Sequence, residues 1–485
     1  MTSVVCPYCF DRSPASRLAF RCQMSATGVR GGKPCTAEQD TVWAEFVGPG
    51  VAPGRAARGP VFEAPRDLVS RIAGAGPGSR AFRGRRGSRA DCPHCGVSTS
   101  VRVCLRCHSD FPGDYCDQDT RIIALLGPKA SGKSTYVSVL VNELRGRVGR
   151  AYGASLTPMG GETQRRDRDM AEDLYDRLRL PQATRPVALG FNDPLLYRLS
   201  LPRPRRMRAD GSRHTALVFF DAAGEDLADA EAMNRYTSYL AAADGIIVLV
   251  DPLQSRAVRD RLPRDAGAAL PALHTPPQQI AADLAAQLRA HGRGSTGGRV
   301  TTPVAVAVTK TDSLLPLLDP HSPLLRNGDH SGGAVDENDR LAVHEEVRDL
   351  LEGWDSGALT RQLDRDFARF SLFGLSALGS PPPAHAPADA PRSGPQPWRV
   401  EDPLLWLLGL GGLLPRRQGG TRGRDGAPGA GAPGAGASGA GPSGAGAAGA
   451  GGASGVGGSG PDGASAFDGA APAGSAGSAG SEAGA

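Results

Sequence analysis

A short stretch around residue 130 has the residue types and spacing of a phosphate-binding loop. The sequence GPKASGKS at 127–134 follows a predicted buried strand, Ile122–Leu126, and precedes a predicted helix. In this strand–loop–helix context, Gly127 and Gly132 let the backbone approach phosphate oxygens, because they lack Cβ atoms. Backbone N–H groups at the start of the helix would hold the β-phosphate. The residues expected to line the loop are Gly127, Ala130, Ser131, Gly132, Lys133, Ser134 and Thr135.

Two side chains of this loop are expected to act on a bound nucleotide directly. Lys133 would reach the β- and γ-phosphates, and the Ser134 hydroxyl would bind Mg²⁺. The chain has four lysines, at 33, 129, 133 and 310, among its 55 basic residues. Because arginine has replaced lysine almost everywhere, a remaining lysine indicates a position that needs a compact ammonium group rather than a planar fork. By this criterion Lys310 is a second candidate site residue.

Lys310 follows Thr309 at the end of another predicted strand, in the sequence TPVAVAVTKTD. Asp312 could accept hydrogen bonds from N1–H and the 2-amino group of guanine, whereas adenine offers a lone pair at N1 and no 2-amino group. The aliphatic part of Lys310 would lie along the base. A later strand, in FSLFGLSALG, ends at Ser376, Ala377 and Leu378, where a backbone N–H could support the guanine O6. The sequence therefore predicts guanine recognition.

The segment between these motifs supplies further magnesium and phosphate contacts. In TALVFFDAAGED, a predicted strand ends at Asp221, which would hold Mg²⁺ through water. The backbone N–H of Gly224 could contact the γ-phosphate. The buried strand in DGIIVLVDP follows, and Asp251 at its end either faces the site or starts a turn.

All nine cysteines precede the phosphate loop, and their spacing is typical of structural zinc sites. We expect an intracellular chain without a secretory signal, in which disulfides do not form. Two C-x-x-C pairs with eight residues between them predict one closed tetrahedral zinc site. Its ligands are Cys92, Cys95, Cys104 and Cys107. A second, looser zinc site is predicted from Cys6, Cys9, Cys22 and Cys35. Cys116 and His108 are expected to be a buried small side chain and a surface histidine rather than ligands.

Four segments in this order, GPKASGKS, DAAGE, TKTD and SAL, resemble the TRAFAC-class P-loop GTPases. With its cysteine-rich start, the chain most resembles the actinobacterial double-GTPase type, which bears N-terminal zinc ribbons. The GTPase resemblance covers roughly residues 119–414. It implies GTP binding, dependence on Mg²⁺, and switch loops that the γ-phosphate orders.

Two features depart from the pattern of a typical small GTPase. Glu225 stands where a glutamine usually orients the attacking water, and a carboxylate beside the γ-phosphate adds like-charge repulsion. We therefore predict slow intrinsic hydrolysis. The threonine of the first switch has three candidates, of which Thr184 is favoured over Thr157 and Thr163 because it is closest to the following strand. The expected catalytic set is Lys133, Thr184, Gly224 and Glu225.

The chain is predicted to have three parts and an α/β fold. Residues 1–118 form a cysteine-rich zinc-ribbon module with a Gly/Pro/Arg-rich insert, 119–416 form a P-loop GTPase domain with a mostly parallel sheet, and 417–485 form a disordered Gly/Ala/Ser/Pro-rich tail. Helices are predicted in PPQQIAADLAAQLRAHG and VDENDRLAVHEEVRDLLEGW. The apolar run in VEDPLLWLLGLGGLLP is too short to span a bilayer and is predicted to be a final helix that covers the sheet.

These features predict a cytoplasmic, slowly hydrolysing GTP switch with GTP, Mg²⁺ and Zn²⁺ as cofactors. Its partner would be an unknown protein effector or a second GTPase. One alternative is a scaffold that binds GTP and never hydrolyses it. Another is a nucleic-acid-associated NTPase, in which nucleic acid is bound by the zinc ribbons and by the arginines at 80, 83, 85, 86 and 89. The Gly/Ser spacing of those arginines favours a solvated linker instead.

Overall fold

The structure is a computed structural model of the chain, and it describes most residues up to 417. The described residues are 3–14, 19–25, 29, 33–48, 54–63, 89–128, 130–181, 193–202, 212–221, 238–263, 276–293, 297–330, 332–355, 357–382 and 389–417. The predicted Thr184, Gly224 and Glu225 lie outside them. So do most of the arginine-rich insert and the predicted tail from residue 418 onward.

The described residues of the cysteine-rich segment form very short strands and one α-helix. The strands are β1 Ser3–Val5, β2 Arg12–Pro14, β3 Ala19–Arg21, β4 Glu38–Gln39, β5 Ala57–Arg58, β6 Val61–Glu63, β7 Ala90–Asp91, β8 Ser98–Thr99 and β9 Arg102–Val103. Three antiparallel pairs form, β1–β2, β4–β5 and β7–β8, while β3 lies between β6 and β9. Helix α1, Thr41–Val47, begins at Asp40, whose carboxylate accepts a hydrogen bond from the Trp43 N–H.

A seven-stranded sheet forms the centre of the rest of the chain. Its strands are β10 Asp119–Leu126, β11 Ser155–Pro158, β12 Leu195–Pro202, β13 Ser212–Asp221, β14 Gly245–Val250, β15 Val304–Val308 and β17 Phe370–Gly374. Their order is β11-β12-β13-β10-β14-β15-β17, and β16 Val335–Asp336 pairs separately with β18 Arg416–Arg417. The five strands from β13 to β17 are parallel, and β11 and β12 extend the sheet antiparallel.

The apolar composition of the inner strands explains this arrangement. Every residue of β14 and β15 is buried, as expected for strands covered by helices on both faces. The strand β12 pairs antiparallel with β13 along its whole length. The predicted α/β fold with a mostly parallel sheet is confirmed.

Helices cover both faces of the sheet. They are α2 Lys133–Arg145, α3 Arg147–Tyr152, α4 Gly161–Ala171, α5 Arg256–Arg261, α6 Pro277–Ala290, α7 Glu337–Asp355, α8 Ala358–Asp366 and α9 Asp402–Leu410. The predicted final helix is α9, which is buried from Pro403 to Gly409 and packs on β14 and β15. In the described part of the chain, no helix combines the length and the apolar character needed to cross a bilayer.

A buried ion cluster holds the start of α9. Glu401 is fully buried and accepts hydrogen bonds from Arg147 (2.5 Å) and His330 (2.8 Å). Arg399, also fully buried, contacts Asp339 (2.7 Å) and Asp402 (2.9 Å). Removing one partner of such a group leaves an uncompensated buried charge, so the cluster constrains where α9 lies.

The buried apolar residues form three clusters. Two of them lie in the part of the chain that builds the sheet, one with α6 and α7, and one with α2 and α9. The first of these also contains Val4, Val5, Phe10 and Phe111 from the cysteine-rich segment. A third, smaller cluster surrounds Cys22, Cys92 and Cys95. Both ends of the cysteine-rich segment therefore share a core with the sheet, whereas its middle has a separate core.

Candidate functional site

The predicted nucleotide motifs meet at the carboxyl edge of the parallel strands. The phosphate loop follows β10, Asp251 follows β14, the Thr309–Asp312 segment follows β15, and Ser376 follows β17. Parallel strands bring the loops after their carboxyl ends to one side of a sheet, which is where open α/β sheets bind ligands. Sheet topology thus brings together residues that are far apart in the chain.

The phosphate loop has the backbone shape that its glycines predict. Gly132, the residue before α2, has φ +87°, in the left-handed region that glycine adopts without strain. A Cβ built on Gly127 would lie 2.6 Å from Ser131 Oγ and 3.1 Å from the carbonyl oxygen of Leu249. No side chain fits at Gly127, because the strand β14 lies directly behind the loop.

Lys133 and Ser131 place polar groups inside this loop. The Lys133 side chain is buried, and its ammonium donates hydrogen bonds to the carbonyls of Gly127 (2.8 Å) and Pro128 (3.1 Å). The Ser131 hydroxyl is buried and has no hydrogen-bond partner among the described residues. A buried hydroxyl without a partner costs free energy unless a ligand or water satisfies it, so its position in the loop fits an anionic ligand there.

Lys310 connects the base-side strand to the phosphate loop. Its ammonium contacts Asp251 Oδ2 at 2.7 Å and donates to the carbonyl of Ala130 at 3.0 Å. Asp251 is 2% exposed, and its other oxygen accepts the Leu253 N–H at 2.9 Å. Asp251 therefore starts a turn and also holds the ammonium of Lys310, a predicted site residue. The Thr309 hydroxyl lies 3.3 Å from the carbonyl oxygen of Ser131, which is a second contact between the end of β15 and the phosphate loop.

Asp312 lies beside the end of β17, where the Ser376 hydroxyl donates to its Oδ1 at 2.5 Å. Burial raises the pKa of Asp312 above its usual value, although the bond from Ser376 opposes the shift. The Ser376 N–H donates to the carbonyl of Trp398. A backbone N–H for a guanine O6 would therefore come from Ala377 or Leu378. The two base-side segments thus lie together, as their predicted roles require.

The switch residues are described only in part. Asp221 ends β13 opposite Leu125 of β10, and its side chain lies outside the described set. Thr157 is exposed on the edge strand β11. The buried Thr163 hydroxyl accepts the Leu196 N–H at 3.1 Å, which attaches α4 to β12. That bond gives Thr163 a structural role, and Thr184 stays a prediction.

Eight cysteines form two four-sulfur clusters, but the predicted grouping is wrong. The first cluster contains Cys6, Cys9, Cys104 and Cys107. The second cluster contains Cys22, Cys35, Cys92 and Cys95. Each cluster therefore combines one late C-x-x-C pair with two early cysteines, rather than placing both late pairs on one ion.

Strand pairing explains this interleaving. The residues between Cys95 and Cys104 include strands β8 and β9, so they run extended and separate the two late pairs. The strand β3, which ends just before Cys22, pairs with β9 and β6. Spacing identifies each C-x-x-C pair, whereas the pairing of distant strands decides which pairs share a site.

The geometry of both clusters fits a tetrahedral zinc ion. A Zn–S distance of about 2.3 Å in a tetrahedron places sulfurs about 3.8 Å apart. In the first cluster, Sγ–Sγ distances are 3.7 Å for Cys6–Cys107 and 3.5 Å for Cys9–Cys104. In the second they are 3.6 Å for Cys22–Cys95 and 3.8 Å for Cys35–Cys92. Four thiolates leave no open position, so both sites are suited to a structural ion.

The two remaining candidates, Cys116 and His108, lie outside these clusters. Burial raises the pKa of the Cys116 thiol to about 12, which makes it an inert core residue. His108 is not a plain surface residue, since its Nδ1 lies 2.8 Å from Asp40 Oδ1. Asp40 also binds Arg21, which contacts Asp110 at 2.7 Å. This ion cluster connects the second cysteine cluster to the first.

Comparison with protein families agrees with the site. The model of the family described as Double-GTPase 2 matches residues 121–352, which run from β10 into α7. Residues 121–352 form a double-GTPase type P-loop GTPase domain. The family and the site geometry together support GTP binding by this domain.

One curated relative matches a larger part of the chain. It is the "Putative ESX-1 scaffolding and assembly protein SaeC" of Mycolicibacterium smegmatis, which is 29% identical over 337 residues. The match covers 65% of the present chain and 81% of the relative. This similarity extends over more residues than the family model matches.

Solved structures with a similar arrangement are distant. The signal recognition particle receptor SRβ–GTP/SRX complex of Chaetomium thermophilum is 14% identical with a TM-score of 0.23, over 54% of this chain and 94% of the other. The G domain of the T. maritima iron transporter FeoB is 10% identical with a TM-score of 0.19, over 53% and 88%. Sup35 complexed with GDP is 14% identical with a TM-score of 0.21, and the match spans only 38% of that chain.

Proposed function

We propose that this protein is a cytoplasmic, slowly hydrolysing GTP switch whose nucleotide-ordered loops act on a protein partner. The observation that carries the proposal is the joint placement of Lys310 and Asp312. Lys310 contacts the phosphate loop through Ala130, and Asp312 lies beside Ser376 at the base side. A nucleotide spanning these two groups would present phosphates to Lys133 and a purine edge to Asp312.

Guanine selectivity follows from the charge of Asp312. An ionised carboxylate accepts from N1–H and the 2-amino group of guanine, and adenine would leave it unpaired in a buried site. Such mismatches in sites built for hydrogen bonding cost on the order of 10⁴-fold in discrimination. The Ser376 hydroxyl would hold the carboxylate in position, because it donates to Oδ1.

Metal binding would serve two different purposes. The Ser134 hydroxyl and Asp221 are the groups that would hold Mg²⁺, which neutralises phosphate charge when it is bound. The two cysteine clusters would hold Zn²⁺, whose binding contributes folding free energy to segments with little apolar core of their own.

Two observations bear on whether GTP is hydrolysed. Glu225 favours slow hydrolysis, and the name of the curated relative favours a scaffold role. A carboxylate in the place of the water-orienting glutamine would repel the γ-phosphate, which raises the barrier to attack. The relative's name describes scaffolding and assembly, which favours action through protein partners over metabolic turnover. A GTP-bound scaffold without hydrolysis is therefore the second candidate.

The first experiment is a titration of the purified protein with GTP, GDP and ATP, in Mg²⁺ and then in EDTA. We expect tight, Mg²⁺-sensitive binding of guanine nucleotides and at least hundredfold weaker binding of ATP. Asp312→Ala should abolish that preference, whereas Asp349→Ala, an exposed position on α7, should leave it unchanged. Equal affinity for ATP and GTP in the unaltered protein would overturn guanine recognition.

The second experiment separates a switch from a scaffold. Phosphate release from GTP is measured under single-turnover conditions for the unaltered protein and for Glu225→Gln. A slow but measurable rate that rises tenfold or more in Glu225→Gln supports the switch. No release from either protein, with GTP binding intact, supports the scaffold.

A further inference from the structure

One aromatic residue of the first cysteine cluster reaches the strands that carry the nucleotide site. Phe10 directly follows Cys9 and has φ +59°, a left-handed backbone angle in which its N–H donates to the Cys6 carbonyl at 3.0 Å. Its buried ring lies 5.0 Å from the ring of Tyr239 and 5.8 Å from the ring of Phe220, edge to face. The turn between Cys6 and Cys9 therefore directs an aromatic side chain onto the sheet.

Tyr239 stands between the two strands on which magnesium and phosphate binding depend. Its ring is fully buried and 4.8 Å from the Phe220 ring. Its hydroxyl oxygen lies 3.0 Å from the Leu125 nitrogen and 3.0 Å from each of the carbonyl oxygens of Ile123 and Phe220. Tyr239 thus accepts from β10, which leads into the phosphate loop, and its single hydroxyl hydrogen is shared between a carbonyl of β10 and a carbonyl of β13.

The last residues of β13 depend on these contacts more than β10 does. The register between β12 and β13 ends at Leu195–Phe219, so among the described residues Phe220 and Asp221 of β13 have a ladder with β10 alone. In contrast, β10 also pairs with β14 from Ile123 to Leu126. A change at Tyr239 should therefore displace the end of β13, which carries Asp221, more than it displaces the phosphate loop.

We propose that Tyr239 and Phe10 are positioning residues through which the first cysteine cluster sets the Mg²⁺-dependent part of nucleotide binding. The proposal rests on the proposed GTP-binding function. Phe10 packs on Tyr239, Tyr239 holds the carbonyl of Phe220, and Phe220 precedes Asp221. A metal ion on Cys6 and Cys9 would hold this turn closed and so keep Phe10 in place.

The test measures the ratio of GTP affinity in Mg²⁺ to GTP affinity in EDTA, using the full chain. Tyr239→Phe removes the hydroxyl and keeps the ring, so we expect the ratio to fall about five- to tenfold while the EDTA affinity changes less than twofold. Phe10→Leu keeps an apolar side chain and should reduce the ratio about threefold. Phe62→Leu, in the separate cluster around the second cysteine set, is the matched control and should leave the ratio unchanged.

Each variant is also checked for zinc content and for its thermal unfolding midpoint, so that loss of fold is recognised. An unchanged ratio in Tyr239→Phe, or equal losses in Mg²⁺ and in EDTA, would overturn the positioning role, because a general structural defect affects both conditions alike. If the unaltered protein binds no guanine nucleotide in either condition, the proposed function itself fails, and that outcome is seen before any variant is compared.

Discussion

The two cysteine clusters have the same ligands and similar sulfur spacing, yet they attach to the molecule in different ways. The first cluster shares a continuous apolar core with the sheet, through Val4, Phe10 and Phe111. The second cluster has a small core of its own, which contains Phe20, Phe62 and Val97. Two four-cysteine sites with the same ligands can therefore stabilise different things, one the core of the nucleotide-binding part of the chain and the other a small core of its own.

This difference shows that ligand type does not define the role of a structural metal site. The part of the molecule that a metal site stabilises is the part whose apolar residues lose packing contacts when the metal ion is lost. Around the first cluster those residues share a core with strands β10 and β13, whereas the described residues around the second cluster form a separate core.

The largest effect is expected from removing one ligand of each cluster. Cys104→Ser should unfold the part of the chain that builds the seven-stranded sheet, which is the predicted GTPase part. A structural zinc site contributes about 10–16 kcal/mol, which is as large as the total stability of a domain, about 5–15 kcal/mol. Cys92→Ser should leave the GTPase part folded. Circular dichroism melts and GTP binding measure both. Equal loss of GTP binding in the two variants would show that the clusters do not differ in this way.

A smaller effect is expected from one aromatic residue in each core. Phe111 stacks on Tyr115 with ring centroids 5.7 Å apart, in the core shared with the sheet. Phe111→Ala should lower the free energy of unfolding of the GTPase part by about 3–5 kcal/mol, because it leaves a cavity. Phe62→Ala should lower it by less than about 0.5 kcal/mol, since Phe62 packs on Phe20 in the separate core. Denaturant unfolding followed by circular dichroism gives both values.

Arg21 is expected to connect the two clusters. It is 5% exposed and contacts Asp40, Asp110 and the carbonyl of His108, the residue after Cys107. Arg21→Ala should lower the free energy of unfolding by about 2 kcal/mol, because Asp40 and Asp110 each lose a charged hydrogen bond, while Asp40 keeps His108 and Asp110 keeps Arg58. Zinc release by a chelator should then occur in two separate steps. Arg12→Ala, on the exposed strand β2, serves as the control, and release in one step from Arg21→Ala would contradict the connection.

The smallest effect concerns the pH dependence of nucleotide binding at the base site, which should not depend on the second cluster. Burial raises the pKa of Asp312, so the carboxyl takes up a proton at a higher pH than an exposed aspartate. As pH falls through that raised pKa, the acceptor for guanine is lost, and GDP affinity should fall up to tenfold per pH unit. Above it, affinity should be constant.

Isothermal titration of GDP across pH 4–8 measures this dependence. Asp312→Asn should remove it, because an amide does not titrate in this range. The variant Cys35→Ser should give the same curve as the unaltered protein. A shifted curve in Cys35→Ser would mean that the second cluster reaches the base site.

Much of the fold and of the nucleotide site could be predicted because local patterns encode them. The apolar runs that became β14 and β15 read as buried strands, and the glycines and lysine of the phosphate loop have a spacing that few other structures require. The short motifs at strand ends then fall on one edge of the sheet through topology alone.

Contacts between distant segments could not be predicted in the same way. The cysteine grouping was wrong because C-x-x-C spacing says nothing about the pairing of β3 with β9. The contact between Asp251 and Lys310 is visible only once the two strand ends are placed side by side, and no sequence motif marks Tyr239. Phe10 carried one signal, an aromatic residue directly after a C-x-x-C pair in CPYCF, but its target lies more than two hundred residues away in the sequence.

The lysine contacts of the phosphate loop have a consequence for the speed of binding. Lys133 holds the carbonyls of Gly127 and Pro128, and Lys310 holds that of Ala130, so these backbone groups are already ordered by the protein's own cations. A preorganised loop loses little conformational entropy when its ligand arrives. Nucleotide association should therefore be fast and nearly independent of nucleotide type, and GTP and GDP should differ mainly in how long they stay bound.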